Sequence, residues 1–106
     1  QRWVRETGAL TLEQGVRKLT SIPAQFFGID RGVLAVGKAA DLVIFDPDTV
    51  ACGDKQWARD LPGGGRRFVT RSIGVRATIV AGRVLFENGA YREGVRPGRM
   101  LRSYDA

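Results

Sequence analysis

The sequence predicts an α+β chain: an N-terminal helical hairpin followed by a small, mainly antiparallel β-sheet. Three observations carry this. Leu12, Val16 and Leu19 recur at helical spacing. Leu42-Val43-Ile44-Phe45 is an unbroken apolar run between Asp41 and Asp46-Pro47. Two further apolar runs, Val75 to Val80 and Arg83 to Glu87, are separated only by Ala81-Gly82.

Residues 1–10 read as a tail, and 11–28 as the helix pair. Thr11 and Gln14 stand three apart, the spacing at which a hydroxyl and an amide cap a helix start reciprocally. Glu13 in the first turn, and Arg17 and Lys18 near the far end, complement the helix dipole. Pro23 cannot donate a backbone N–H, but it is welcome at a helix start. A second short helix is therefore expected over Pro23 to Phe27, ended by Gly28.

The remainder, 29–102, reads as the sheet segment, with a strand over Leu42 to Phe45. Residues 48–67 show no clear periodicity and enclose Leu61-Pro62-Gly63-Gly64-Gly65. They read as a long irregular loop, which is unusual in a compact domain. The Val75–Glu87 hairpin follows. Ala81 is a poor first residue for a tight turn that needs positive φ, which leaves a longer turn open there. Asn88-Gly89 is a stronger turn signal, and 103–106 read as a tail.

Composition sets limits on mechanism. The chain has 106 residues, a net charge of +6, one cysteine and no histidine. Without histidine there is no Ser-His-Asp or Cys-His nucleophile system, and no histidine-built zinc site. One cysteine excludes an internal disulfide and any cysteine-cluster metal site. The length suits one domain. No run of about 18 apolar residues exists to span a membrane. The N-terminus lacks the apolar core of a signal peptide. With the lone cysteine, this leads us to expect a cytoplasmic protein. The chain begins with Gln rather than Met, which leads us to expect a segment of something longer.

Four motifs in order then carry a family resemblance. Gly32 to Asp46 reads G-x-L-x-x-G-x-x-A-D-L-V-I-F-D. Upstream stands Leu19-Thr20-Ser21-Ile22-Pro23-Ala24, within Leu12 to Gly28. Downstream come Asp60-Leu61-Pro62-Gly63-Gly64-Gly65-Arg66-Arg67 with Gly74 to Val84, and then Arg96-Pro97-Gly98-Arg99-Met100-Leu101-Arg102. Over roughly residues 8 to 102 the chain resembles the C-terminus of the amidohydrolase superfamily, and within it the N-acyl-D-amino-acid deacylases, or D-aminoacylases.

The resemblance implies that 11–28 are a terminal barrel-type helix pair. It also implies that 29–102 are strands of a composite β-sandwich domain, which in the family draws on N-terminal strands too. A barrel of this kind needs about 250 residues. The family's chemistry is zinc-assisted hydrolysis, with an H-x-H pair, two further histidines, a bridging residue and a catalytic aspartate. No position here matches them, and Asp41 of the A-D-L motif is not that aspartate. The resemblance therefore implies no catalytic residue, no metal ligand and no cofactor in this segment. The expected role is a non-catalytic fragment acting as a structural or oligomerisation unit. Its expected partner is the missing barrel or a second copy of the chain.

Other features invite rival readings. Asp41 and Asp46 could act as paired carboxylates, but strand-flanking turn chemistry explains them better. Gly63, Gly64, Gly65, Arg66 and Arg67 could cradle an anion, but the Lys-Ser/Thr of a phosphate loop and a following helix are missing. Cys52 has no histidine to activate it. Trp3, Trp57, Tyr91 and Tyr104 do not alternate with basic residues as a base-stacking platform would. Fourteen arginines against three lysines keep an alternative open: a basic module for nucleic acid or an acidic protein. Their even spread, and arginine's preference for interfaces, favour a lost intramolecular interface instead.

Overall fold

The structure, a computed structural model, describes residues 1–102, and the tail expected over 103–106 lies outside them. The segment 1–10 is not a plain tail. Arg2–Glu6 form a π-helical turn. Long-range ties hold it, which no local periodicity announces. Arg5 Nη1 donates to the carbonyls of Pro47 at 3.0 Å and Val50 at 2.7 Å, and the Leu10 N–H closes on Trp3 O at 3.0 Å.

Helix α1 (Leu12–Leu19) starts as its sequence dictates. The Gln14 N–H donates to Thr11 Oγ1 at 3.2 Å, and the Thr11 N–H donates to Gln14 Oε1 at 3.0 Å. Helix α2 (Ser21–Phe27) begins two residues earlier than expected. Pro23 falls in its first turn, where a helix N–H has no intrahelical acceptor, so the missing donor costs nothing. Gly28 ends the helix at φ 65°. Its N–H reaches Gln25 O, and the Ile29 N–H reaches Ala24 O at 3.0 Å, which satisfies carbonyls the helix leaves open.

A four-stranded antiparallel sheet follows, in the order β1 (Leu42–Phe45), β4 (Val75–Val80), β5 (Arg83–Glu87), β6 (Ala90–Tyr91). Leu42 faces Ile79 and Ile44 faces Ala77 across the first ladder. The β4–β5 turn is no longer than its two residues: Ala81 and Gly82 both take positive φ, 49° and 76°. Two ties hold Ala81 in a conformation it would not choose. Its N–H donates to Asp41 Oδ1 at 2.9 Å, and the neighbouring Gly82 N–H donates to Ala40 O at 3.0 Å. Asn88-Gly89 turns β5 into β6, the Asn88 N–H meeting Arg76 O at 3.0 Å.

The long loop expected over 48–67 is corrected. Strand β2 (Ala51–Ala58) lies inside it and pairs antiparallel with β3 (Arg67–Ile73) as a separate ribbon. A 3₁₀ turn, Pro62–Gly64, stands in the connection. Among the described residues, no other helix or strand packs broadly against this ribbon. Neither of its faces is a core face, so neither strand needed the apolar alternation that would have revealed it.

Little is enclosed. Among the described residues only Ala24 and Ala77 are buried. The chain exposes 8809 Å², whereas a compact monomer of 11.6 kDa exposes about 5,800 Å². Its radius of gyration is 16.0 Å, against about 13 Å for a compact domain of this length. No helix among the described residues is long and apolar enough to cross a membrane.

Candidate functional site: an apolar docking face

The surplus surface is organised. A cavity of about 510 Å³ opens between α1, the N-terminal turn and β1. Trp3, Leu12, Val16, Leu19, Val43 and Phe45 are among its lining residues. The helical spacing of 12, 16 and 19 puts three side chains on one stripe of α1, and the two-residue alternation of β1 adds Val43 and Phe45. Gly15 lets the N-terminal turn come close, since a Cβ there would lie 3.0 Å from Val4 Cγ2. Leu19 remains 82% exposed. Isolated exposed leucines are ordinary, but here several apolar side chains share one groove, which makes it the candidate site.

β1 adds a second docking feature. It is an edge strand, and Leu-Val-Ile-Phe carries no charge or proline to block a further strand.

Asp41 fixes the base of this face. It accepts from the Ala81 N–H and from Arg31 Nε, each at 2.9 Å, so it ties the β4–β5 turn to the loop leaving α2. The Ala81 N–H first, and then Arg31, hold its carboxyl below the ordinary aspartate value against the opposing effect of burial. A depressed folded pKa contributes stability that is present above the unfolded value, about 3.9, and is lost as pH falls through the folded value. Asp41→Asn is therefore expected to cost about 1 kcal/mol at neutral pH and to flatten the acid limb of a melting-temperature profile. Parallel acid limbs in the two proteins would refute the assignment.

The other residues singled out in the sequence are placed as follows. Asp46 lies at the far end of β1, where its Oδ1 accepts from the Asp48 N–H at 2.9 Å. Gly63, Gly64 and Gly65 lie in the ribbon's connecting turn, and the Gly65 N–H points to Pro62 O. The two arginines beside them turn elsewhere. Arg67 grips Asp60 with two bonds, 2.8 and 2.7 Å. That pairing holds the Asp60 carboxyl below its ordinary value and the Arg67 guanidinium above its own. Arg66 lies over the Trp57 ring, 4.3 Å from its centroid. Cys52 is exposed, with its N–H donating to Gln1 Oε1. Sequence reasoning missed the Arg5 latch and the Trp57–Phe68–Arg66 cluster. The first has no local signal, and the second becomes visible only once the ribbon's register pairs Trp57 with Phe68.

Among the described residues, no three or more His, Cys, Asp or Glu side chains come together where they could hold a metal ion. The described residues therefore do not fit a zinc centre.

Comparison with known proteins agrees with the sequence motifs. The model of the amidohydrolase family matches residues 1–86. The chain is 44% identical over 102 residues to an N-acyl-D-glutamate deacylase of Alcaligenes xylosoxydans xylosoxydans, covering 95% of this chain and 19% of that protein. It is 38% identical over 87 residues to a dihydroorotase of Clostridium acetobutylicum, covering 78% of this chain and 20% of that protein. It is 40% identical over 90 residues to a dihydroorotase of Anaeromyxobacter dehalogenans, covering 81% and 20%. The chain thus spans about a fifth of the length of these relatives. No solved structure matches it. With the family model covering most of its residues, the chain belongs to the amidohydrolase family.

Proposed function

We propose that this chain is a non-catalytic C-terminal part of an enzyme resembling the N-acyl-D-amino-acid deacylases, and that it docks on the enzyme's barrel through the α1–β1 face. The observation that carries this is the surplus surface: 8809 Å² exposed against about 5,800 Å² for a compact chain. The difference, about 3,000 Å², marks an open chain, and the α1–β1 groove is an apolar part of that open surface. Nearly continuous apolar lining and an unprotected edge strand are what an interface leaves behind when its other half is removed.

A second argument separates scaffold from chemistry. The same segment resembles a deacylase and dihydroorotases, two differently named enzymes. What they share in this segment is therefore better read as architecture than as substrate recognition. Without the barrel, a second copy is the remaining cover for the same face, so the isolated chain self-associates.

The test is complementation. The Alcaligenes deacylase, shortened to end where its match to this chain begins, is co-expressed with this chain. The expected result is a co-purifying complex with deacylase activity that neither piece shows alone. Hydrolysis of N-acyl-D-amino acids by this chain alone would overturn the reading. So would a monomer at high concentration that ignores the shortened enzyme.

A further inference from the structure

The ribbon carries a second surface, separate from the groove, whose named lining lies on α1, the N-terminal turn and β1. Trp57 pairs with Phe68, and Lys55 with Thr70. Arg66 stands immediately before β3. The Trp57 and Phe68 rings stack at 3.8 Å between centroids, with 26° between planes. The Arg66 guanidinium lies over the Trp57 ring at 4.3 Å. Phe68 and Arg66 thus both pack close to the Trp57 ring.

This cluster is exposed but ordered. Trp57 is 55% exposed and Phe68 58%. The stack fixes three side chains in advance, which lowers the entropy lost on binding. Trp and Arg are also the residues that dominate protein-binding hot spots. Among the described residues, neither Arg66 nor Lys55 is in an ion pair, and the nearby Asp60 is occupied by Arg67.

We propose that the β2–β3 ribbon is a docking arm for a separate acidic protein. An aromatic or aliphatic side chain of an acidic segment of that protein packs on Phe68 and the rim of Trp57, and its flanking carboxylates face Arg66 and Lys55. Three arguments select this occupant. The two cations on the face complement acidic charge, whereas two ribbons stacked face to face would set like charges together. Phe68 and Arg66 already pack on the indole, which leaves Trp57 a poorer platform for a nucleic-acid base. The mixed aromatic and cationic composition is that of an exchangeable interface, unlike the nearly all-apolar groove that suits a permanent one. The proposal does not depend on what covers the groove.

The test selects a random peptide library, displayed on phage, against the immobilised 106-residue chain. The variants Arg66→Glu, Phe68→Ala and Leu19→Glu are compared, their folding checked by circular dichroism. Enriched peptides are expected to place Asp or Glu around an aromatic or aliphatic residue. Their binding should fall about thirtyfold in Phe68→Ala and at least about tenfold in Arg66→Glu, and hold in Leu19→Glu. No enriched family, a neutral or basic one, or equal binding to Arg66→Glu would overturn the proposal. Loss in Leu19→Glu would move the site to the groove. Phe68-dependent binding of a single-stranded oligothymidylate tighter than any peptide would replace the proposal with a nucleic-acid site.

Discussion

Gly74→Ala is expected to unfold the junction between the two sheets, at a cost of about 3 kcal/mol or more. Gly74 joins β3 to β4 at φ 75°, where an L side chain is strained by about 1–2 kcal/mol. Space is the larger obstacle. A Cβ there would lie 2.6 Å from Val50 N and 2.7 Å from Thr49 Oγ1. The Val50 backbone cannot rotate away as a side chain would. It also accepts from Arg5, and Gly74 O accepts from the Asp46 N–H at 2.8 Å, so relaxation would break the latch and the strand end together. Thermal melting should fall by more than about 12 °C, at about 4–8 °C per kcal/mol in a chain of this size. Gly89→Ala is the control. Its φ is 86° but nothing lies within 4 Å of the added methyl, so only the backbone strain remains. Equal losses in the two variants would mean that the close approach at Val50 does not matter.

The same contrast explains how much of the fold was legible. Wherever a signal is local, the sequence expresses it. Thr11 and Gln14 needed only each other to cap α1. Leu42 to Phe45, and the β4–β5 hairpin, followed from apolar runs bounded by turn residues. The illegible parts depend on distant partners. The turn at Arg2–Glu6 rests on carbonyls more than forty residues away. Ala81 is a poor turn residue until Asp41 holds its N–H. β2 carries Gly53, Asp54, Lys55 and Gln56, a composition that hides a strand, with an irregular register between Cys52 and Lys55. The proposed docking face was legible only as an inconsistency. Its apolar residues read as core, but the chain is too short to supply the other side. At the candidate anion site of Gly64, Gly65, Arg66 and Arg67, neighbours in sequence turn to different groups. Arg66 lies over the Trp57 ring and Arg67 pairs with Asp60.

Leu19→Glu separates folding from docking. In the isolated chain Leu19 is 82% exposed at the end of α1, so the substitution removes almost no packing. At concentrations low enough to keep the chain monomeric, helical content and melting temperature should stay within the range of surface changes, about 0.5 kcal/mol. On the barrel, the same position lines the groove that the proposed interface fills. A glutamate there must either be buried without a partner or hold the surfaces apart, and burying an unpaired charge costs several kcal/mol. Complementation of the shortened deacylase should therefore weaken at least about a hundredfold, which corresponds to about 2.7 kcal/mol. Leu19→Ala should lie between, since it loses contact area without adding charge. The order wild type, alanine, glutamate in affinity, with all three equally folded, is the signature of an interface residue. Equal complementation by Leu19→Glu and wild type would remove α1 from the docking face and leave the β1 edge as its only support.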